Sequence, residues 1–401
     1  MALARLAGGK AGRGMVLYGL RGVGKTVLIN QMRLRAESAG HVCVSLEAPE
    51  GRSLPSILLP ALRGTIIRHR AGAAAKAGFE KVLGALASFA KAFKMKYDDI
   101  EFSVDLDPTL GIADSGDLEN DLYELLESLG QIAASQSTVV AMFIDEFQYV
   151  EEKQLGALIM ALHRVSQRQL PLTMIVAGLP QLLGQLAKAK SYAERMFDFQ
   201  EIGPLDPKAA TDALIIPAQS QGADYEPAAV NHIVTATHGY PYFLQEWGKH
   251  AWEIAAQSPI QLTNAVAAKD AAIAHLDSSF FRVRFDRLTP LEKRYMRAMA
   301  ELGPGPHRSG DVAEILSRDV RTLGPCRGSL IKKGMAYSPS HEDIAFTVPL
   351  FDGFLKRIMN LELEYSPACQ HQGDPFFHAS WLAEPCNVFH SFFVVRLQAS
   401  N

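Results

Sequence analysis

Gly19-Leu20-Arg21-Gly22-Val23-Gly24-Lys25-Thr26 is the stretch whose residue types and spacing promise chemistry. It meets G-x-x-x-x-G-K-[ST] at every fixed position. Its flanks fit as well: an apolar strand pattern from Met15 to Tyr18 leads in and a helical pattern from Val27 to Glu37 leads out. Gly19, Gly22 and Gly24 let the backbone bend until the N–H groups from Gly22 through Val23 to Val27 face a polyphosphate, and the helix behind adds the positive end of its dipole. Lys25 is placed to reach the outer phosphates and Thr26 to set its hydroxyl on Mg²⁺. A glycine-rich turn before an ordinary helix would need both spacing and flanks to be coincidence. The stretch therefore reads as a nucleoside triphosphate site.

A second constellation lies downstream, where the apolar run from Thr138 to Ile144 ends in Asp145 and Glu146. That pattern suits a buried parallel strand whose carboxyl end opens on a ligand. Asp145 would hold the hydration shell of Mg²⁺, and Glu146 would orient or deprotonate the attacking water. An apolar run meeting a polar loop is common by itself; following a phosphate-binding loop it gains meaning.

These residues need a scaffold. The 401 residues, 48% of them apolar, suffice for two or three domains with full cores, and the formal net charge of -3 gives no global attraction to nucleic acid or membrane. Four cysteines (Cys43, Cys326, Cys369, Cys386) form no disulfide framework, and no stretch reaches the roughly 18 uninterrupted apolar residues of a membrane span. The expectation is a cytoplasmic protein without membrane contact. Strand patterns at 41–47, 138–146, 172–177 and 199–202 alternate with helical ones, which predicts an α/β core with a parallel sheet covered on both faces in three layers. Residues 1–205 would form this core. Within it, 71–117 reads as a helical insertion, with an alternating stretch at 99–107; its Ala/Lys helix packs on its own domain more readily than on a membrane. A helical region, 206–286, follows, and 287–360 reads as three helices and a hairpin, a winged helix-turn-helix.

In that order the motifs resemble the AAA+ and STAND-related P-loop ATPases, in particular those likened to origin-recognition ATPases. The resemblance rests on Gly19–Thr26, Ile144-Asp145-Glu146, Gly178-Leu179-Pro180, Glu194-Arg195, Gly239-Tyr240-Pro241 and the terminal winged helix, and covers about 15–360. It implies ATP and Mg²⁺ as ligands, and a helical lid over 206–286 that meets the nucleotide near Pro241. It also implies that Arg195 reaches a γ-phosphate, in cis or from a neighbouring subunit of a homo-oligomer. A surface ion pair for Arg195 and a helix-start role for Pro241 are the plainer alternatives. Three departures stand out: the Ala177-Gly178 strand end lacks an Asn, Ser or Thr, no arginine lies near 239–245, and only Met1–Gly14 precede the first strand, which puts the usual earlier segment before residue 1. They imply a slow ATPase, more switch than motor.

The segment 287–360 holds twelve Lys/Arg against eight Asp/Glu. Arg318, Arg321, Arg327, Lys332 and Lys333, on and before its third helix, are the candidates for contacts to double-stranded DNA. Packing on the ATPase or docking an effector protein is the competing use. Residues 361–401 form an atypical tail rich in Phe, His and Cys; the intervals among Cys369, His371, His378, Cys386 and His390 match no familiar zinc spacing, and an extension or an altered reading frame fits better. Three functions stay open: a nucleotide-dependent DNA-binding switch, a signalling ATPase whose winged helix is a brake or docking surface, and a helper ATPase for a DNA-processing partner.

Overall fold

The computed structural model describes residues 2–8, 12–69, 73–93, 111–189, 191 and 193–359. The alternating stretch at 99–107 and the tail at 361–401 lie outside them. The chain forms two compact units: one of residues up to Gly19 and from Lys25 to Ile202, the other of Leu20–Gly24 and the described residues from Gly203 onward.

In the first unit, helix α1 (Ala2–Ala7) precedes β1 (Gly14–Tyr18), α2 (Lys25–Ser38), β2 (Val42–Glu47), α3 (Leu54–His69), α4 (Ala73–Ala92) and α5 (Leu118–Ser135). Then come β3 (Val140–Asp145), α6 (Glu152–Gln167), β4 (Leu172–Gly178), α7 (Gln181–Ala189), α8 (Ala193–Met196) and β5 (Phe197–Glu201). The strands make one parallel sheet in the order β2-β3-β4-β1-β5. Side chains alternate across it: Val16, Val140, Met142, Ile144, Met174 and Val176 enter one core, while Leu17, Ala141, Phe143, Ile175 and Ala177 enter a second core with Ile29 of α2. This period-two division is what covers both faces of a parallel sheet with helices. The last strand begins two residues earlier than its apolar pattern suggested, at Phe197.

The segment expected as an insertion is part of the main core. Val82, Leu83, Leu86 and Phe89 of α4 are buried with Leu122, Leu125 and Leu126 of α5. Its apolar face is thus consumed by its own domain, and among the described residues no helix is long and apolar enough to cross a membrane.

The second unit continues with α9 (Pro207–Ser220), α10 (Pro227–Thr237), α11 (Pro241–Ile254) and α12 (Leu262–His275), which runs into a π-helical segment, Leu276–Phe281, and α13 (Arg282–Phe285). After α14 (Pro290–Leu302) come β6 (His307–Arg308), α15 (Ser309–Ile315), a 3₁₀ turn, α16 (Gly324–Lys332), β7 (Ala336–Tyr337), β8 (Asp343–Phe346) and α17 (Phe351–Ile358). The three short strands form an antiparallel sheet, β6-β8-β7. The expected boundary at 286/287 divides sequence patterns, not cores. Phe281 of the π segment stacks on Phe354 at 5.3 Å and tilts against Phe351 at 5.7 Å, and Phe243 of α11 is buried in the same cluster. Arg357 ties back to Asp277 through two hydrogen bonds of 2.8 and 2.6 Å.

One buried carboxylate organises the C-terminal module. Thr289 and Glu292 form a capping box at the start of α14, and Glu292 also accepts hydrogen bonds from Ser329 Oγ (2.6 Å) and Lys333 Nζ (2.7 Å). Burial alone would raise its pKa, but these donors outweigh burial and hold the carboxyl down at about 2. A depressed folded-state pKa contributes stability that is present above the unfolded value, near 4.5, and is lost as pH falls toward 2. The size is about 3 kcal/mol at neutral pH. Glu292→Gln should therefore lower the midpoint of thermal unfolding at pH 7 and flatten the stability change between pH 5 and 2. An unaltered pH profile would refute the linkage.

Candidate nucleotide site

The loop geometry follows from its glycines. Gly22 and Gly24 sit at φ +79° and +91°, a region that L side chains enter at a cost. Lys25 and Thr26 open α2 directly after the loop, so the unpaired N–H groups of that helix start belong to the same concavity. Val23 is buried, whereas Val27 is exposed on the first turn of α2. Lys25 is largely buried, and its Nζ donates to the carbonyl of Gly19 at 2.9 Å, folding the ammonium over the loop's own backbone.

The two predicted Mg²⁺ ligands meet. Thr26 Oγ1 donates to Asp145 Oδ2 at 2.6 Å, across 119 residues of sequence. A hydroxyl and a carboxylate side by side are the hard oxygen donors that Mg²⁺ takes with substrate phosphates and waters, so this pair fits the ion. The second oxygen, Asp145 Oδ1, accepts the N–H of Glu146 at 2.8 Å. Glu146 stands at φ 52°, ψ 34°. A non-glycine residue in the left-handed region carries strain, which clusters at functional sites.

A residue that sequence reasoning missed holds Glu146 in place. Gln148 is buried; its Nε2 donates to Glu146 Oε2, while its Oε1 accepts the N–H of Leu179 at 3.0 Å. Its own carbonyl accepts from Gln185 Nε2 at 3.1 Å. A Cβ at Gly178 would lie 2.7 Å from Gln148 Oε1 and 2.8 Å from Leu182. The missing polar side chain at the end of β4 thus has a physical reason: that space is filled by a glutamine from the neighbouring turn. The Phe-Gln step after Asp145-Glu146 was the only available signal, and it says nothing about a partner at Leu179. Gln148→Ala should lower turnover about tenfold with ATP affinity unchanged, the effect of losing one hydrogen bond that orients Glu146. Equal loss in KM and kcat would instead mark it as a packing residue.

In the second unit, the middle of the loop makes its own bonds. Arg21 N–H donates to the carbonyl of Thr347 at 2.9 Å, and Tyr242 N–H donates to the carbonyl of Gly22 at 3.2 Å. Thr347, fully buried, donates its hydroxyl to the Gly334 carbonyl at 2.6 Å. Pro241 occupies the first turn of α11, the helix-start position that suits a residue without N–H, and it follows Gly239 at φ +71°.

Two expected residues, Arg327 and Lys333, require correction, and of the two expected roles of Arg195 the structure disfavours the one in cis. Arg195 precedes β5, whose first residue pairs with Gly14, the first of β1; it therefore lies at the amino ends of the strands, beside Arg13 and His163. The loop leaves the opposite end of β1, roughly 16 Å away by strand rise. Arg195 is exposed there, and a γ-phosphate on its own loop is beyond its reach. Arg327 is an internal clasp: its guanidinium bonds Ser309 Oγ (3.1 Å), Ser338 Oγ (2.6 Å) and the Asp343 carbonyl (2.8 Å). Lys333 is committed to Glu292 and to the Arg287 carbonyl at 3.0 Å. Arg318, Arg321 and Lys332 remain exposed. Thiol chemistry has no support among the described residues, since Cys43 and Cys326 are buried and burial pushes each thiol up to about 11.

A parallel β2-β3-β4-β1-β5 sheet, a phosphate-binding loop after β1 and a hydroxyl–carboxylate pair at the end of β3 define a P-loop NTPase. Residues 2–176 match the AAA ATPase domain family, so this part of the chain carries an AAA-type P-loop domain. Residues 278–355 match a domain of unknown function (DUF8462). No curated protein matches the sequence. Among solved structures, the fold is similar to the Walker-type ATPase PABY2304 of Pyrococcus abyssi, with a TM-score of 0.53 and 17% identity over 85% of this chain and 90% of that one. Two others are more distant in shape and bear only on general likeness. The RuvB Holliday junction branch migration motor of Thermotoga maritima has a TM-score of 0.43 and 14% identity over 86% of this chain and 88% of its own. The Orc1 protein of Aeropyrum pernix, solved in complex with DNA, has a TM-score of 0.40 and 15% identity over 89% and 90%.

Proposed function

We propose that this chain is a slow ATPase working as a nucleotide-dependent switch. The observation that carries the reading is the pair of bonds from the loop backbone: Arg21 to Thr347 and Gly22 to Tyr242. The residues that would face phosphates are bonded to the start of α11 and to the C-terminal module, so a ligand in the loop has a mechanical route to both. In hydrolysis, Lys25 binds the outer phosphates, Thr26 and Asp145 hold Mg²⁺, and Glu146 takes up a proton from the attacking water. Bound there, Mg²⁺ would neutralise phosphate charge. Arg195 suits a contact to the nucleotide of a neighbouring copy, which makes a homo-oligomer part of the proposal.

The output we infer is double-stranded DNA, held by a winged helix formed from α14, α15, α16 and the β7–β8 hairpin. Arg318, Arg321 and Lys332 would contact phosphates. A second reading has its own support: the exposed face of α16 carries Gly324, Pro325 and Gly328, too small to read bases, which favours docking of an effector protein. Duplex binding by fluorescence anisotropy at two salt concentrations, without nucleotide and with ADP or ATP, separates them. Salt-sensitive binding that shifts with nucleotide and fails in Arg318→Ala/Arg321→Ala/Lys332→Ala supports DNA. Absence of binding in every state would overturn the DNA output and favour protein docking.

A further inference from the structure

Helices α11 and α12 bring three potential ligands together away from the loop. Glu246 and His250 are one turn apart on α11, and His275 ends α12. One ligand atom from each lies within 4.8 Å of the other two. His275 Nδ1 is 2.7 Å and His250 Nε2 is 3.1 Å from the same oxygen, Glu246 Oε1.

Those distances look like ion pairs, yet the angles are wrong for hydrogen bonds. Glu246 Oε1 and His250 Nε2 are both buried atoms without a hydrogen-bond partner. Leaving such groups unsatisfied is costly. Nitrogens and an oxygen that crowd together without pointing N–H at O are disposed to aim their lone pairs at a common point instead. The other imidazole nitrogen of His250, Nδ1, lies 3.2 Å from Glu253 Oε2. A carboxylate at ion-pair distance from the far nitrogen adds negative charge beside the ring, which favours a cation held by the near nitrogen.

We propose that Glu246, His250 and His275 form a binding site for a divalent transition-metal ion of the zinc class. Two imidazoles and one carboxylate suit Zn²⁺ and not Mg²⁺, which prefers oxygen alone. Tetrahedral bonds of about 2.0–2.1 Å set ligand atoms about 3.4 Å apart, so the 3.1 Å contact of His250 with Glu246 has to open by about 0.3 Å and the 2.7 Å contact of His275 by about 0.7 Å, the larger adjustment. That adjustment falls to His275, the most exposed of the three side chains, at 44%. The bound ion would pin α11 to α12 and leave one coordination position for water.

The test uses the full chain, stripped with a chelator and titrated with Zn²⁺ and, in parallel, Mg²⁺, by calorimetry and thermal unfolding. Cobalt(II) absorption in the visible range reports the coordination sphere. One Zn²⁺ per chain, with a raised unfolding temperature and no response to Mg²⁺, is expected. His275→Ala, at an exposed position that folding tolerates, should weaken binding at least about tenfold, and Glu246→Gln should do the same. A Cys369→Ser/Cys386→Ser variant should bind as the parent does. No stoichiometric Zn²⁺ binding, or binding that survives both site variants, would overturn the proposal.

Discussion

Glu146→Gln should bind ATP as tightly as the parent chain and hydrolyse it at least about 100-fold more slowly, the range expected when a group that handles the water's proton is removed. The amide is nearly isosteric, so its oxygen can go on accepting the hydrogen bond from Gln148 Nε2, and the bond from the backbone N–H at 146 to Asp145 is untouched. The loss would then fall on chemistry and spare binding. The check is a nucleotide titration beside a phosphate-release assay on the same preparation. Undiminished release would remove Glu146 from the mechanism, and a parallel drop in affinity would mean that the left-handed turn at this residue is structural.

Lys25→Ala should cost ATP affinity about 100-fold or more, because charge-assisted bonds to phosphate contribute roughly 1.5–3 kcal/mol each and the ammonium has nowhere else to come from in this loop. In the protein alone Lys25 Nζ donates to the Gly19 carbonyl, a bond within the loop that binding would exchange. The variant should therefore fold normally, and circular dichroism is the control. Equal affinity of parent and variant, measured with a fluorescent ATP analogue, would sink the assignment of the loop as the triphosphate site.

The parts of this site that sequence exposes are those whose chemistry is local. Eight consecutive residues encode the loop, and an apolar run ending in Asp145-Glu146 encodes a strand with a reactive end. What needed coordinates depends on partners far along the chain. Gln148 matters through Leu179, 31 residues on. Lys333 was expected at a DNA surface because a cation near a helix end reads as solvent-facing until its acid, Glu292, is found 41 residues away. Arg195 was legible in part: it precedes a strand that the sequence already placed in a parallel sheet, and such a position lies at the amino ends of the strands, opposite the loop. The two-residue strand His307–Arg308 and the π segment at Leu276–Phe281 are too short or too irregular to leave a period. Conversely, the Phe residues at 281, 351 and 354 were visible as apolar positions, but their stacking, which merges lid and C-terminal module into one core, was not.

Thermodynamic reciprocity gives the bonds at Arg21 and Gly22 a wider meaning. On the proposed switch, if filling the loop changes the affinity of the C-terminal module for a partner by some factor, that partner must change nucleotide affinity by the same factor. Thr347, buried and remote in sequence from every phosphate ligand, would on that proposal be a place where nucleotide affinity is tuned without touching a group that meets ATP.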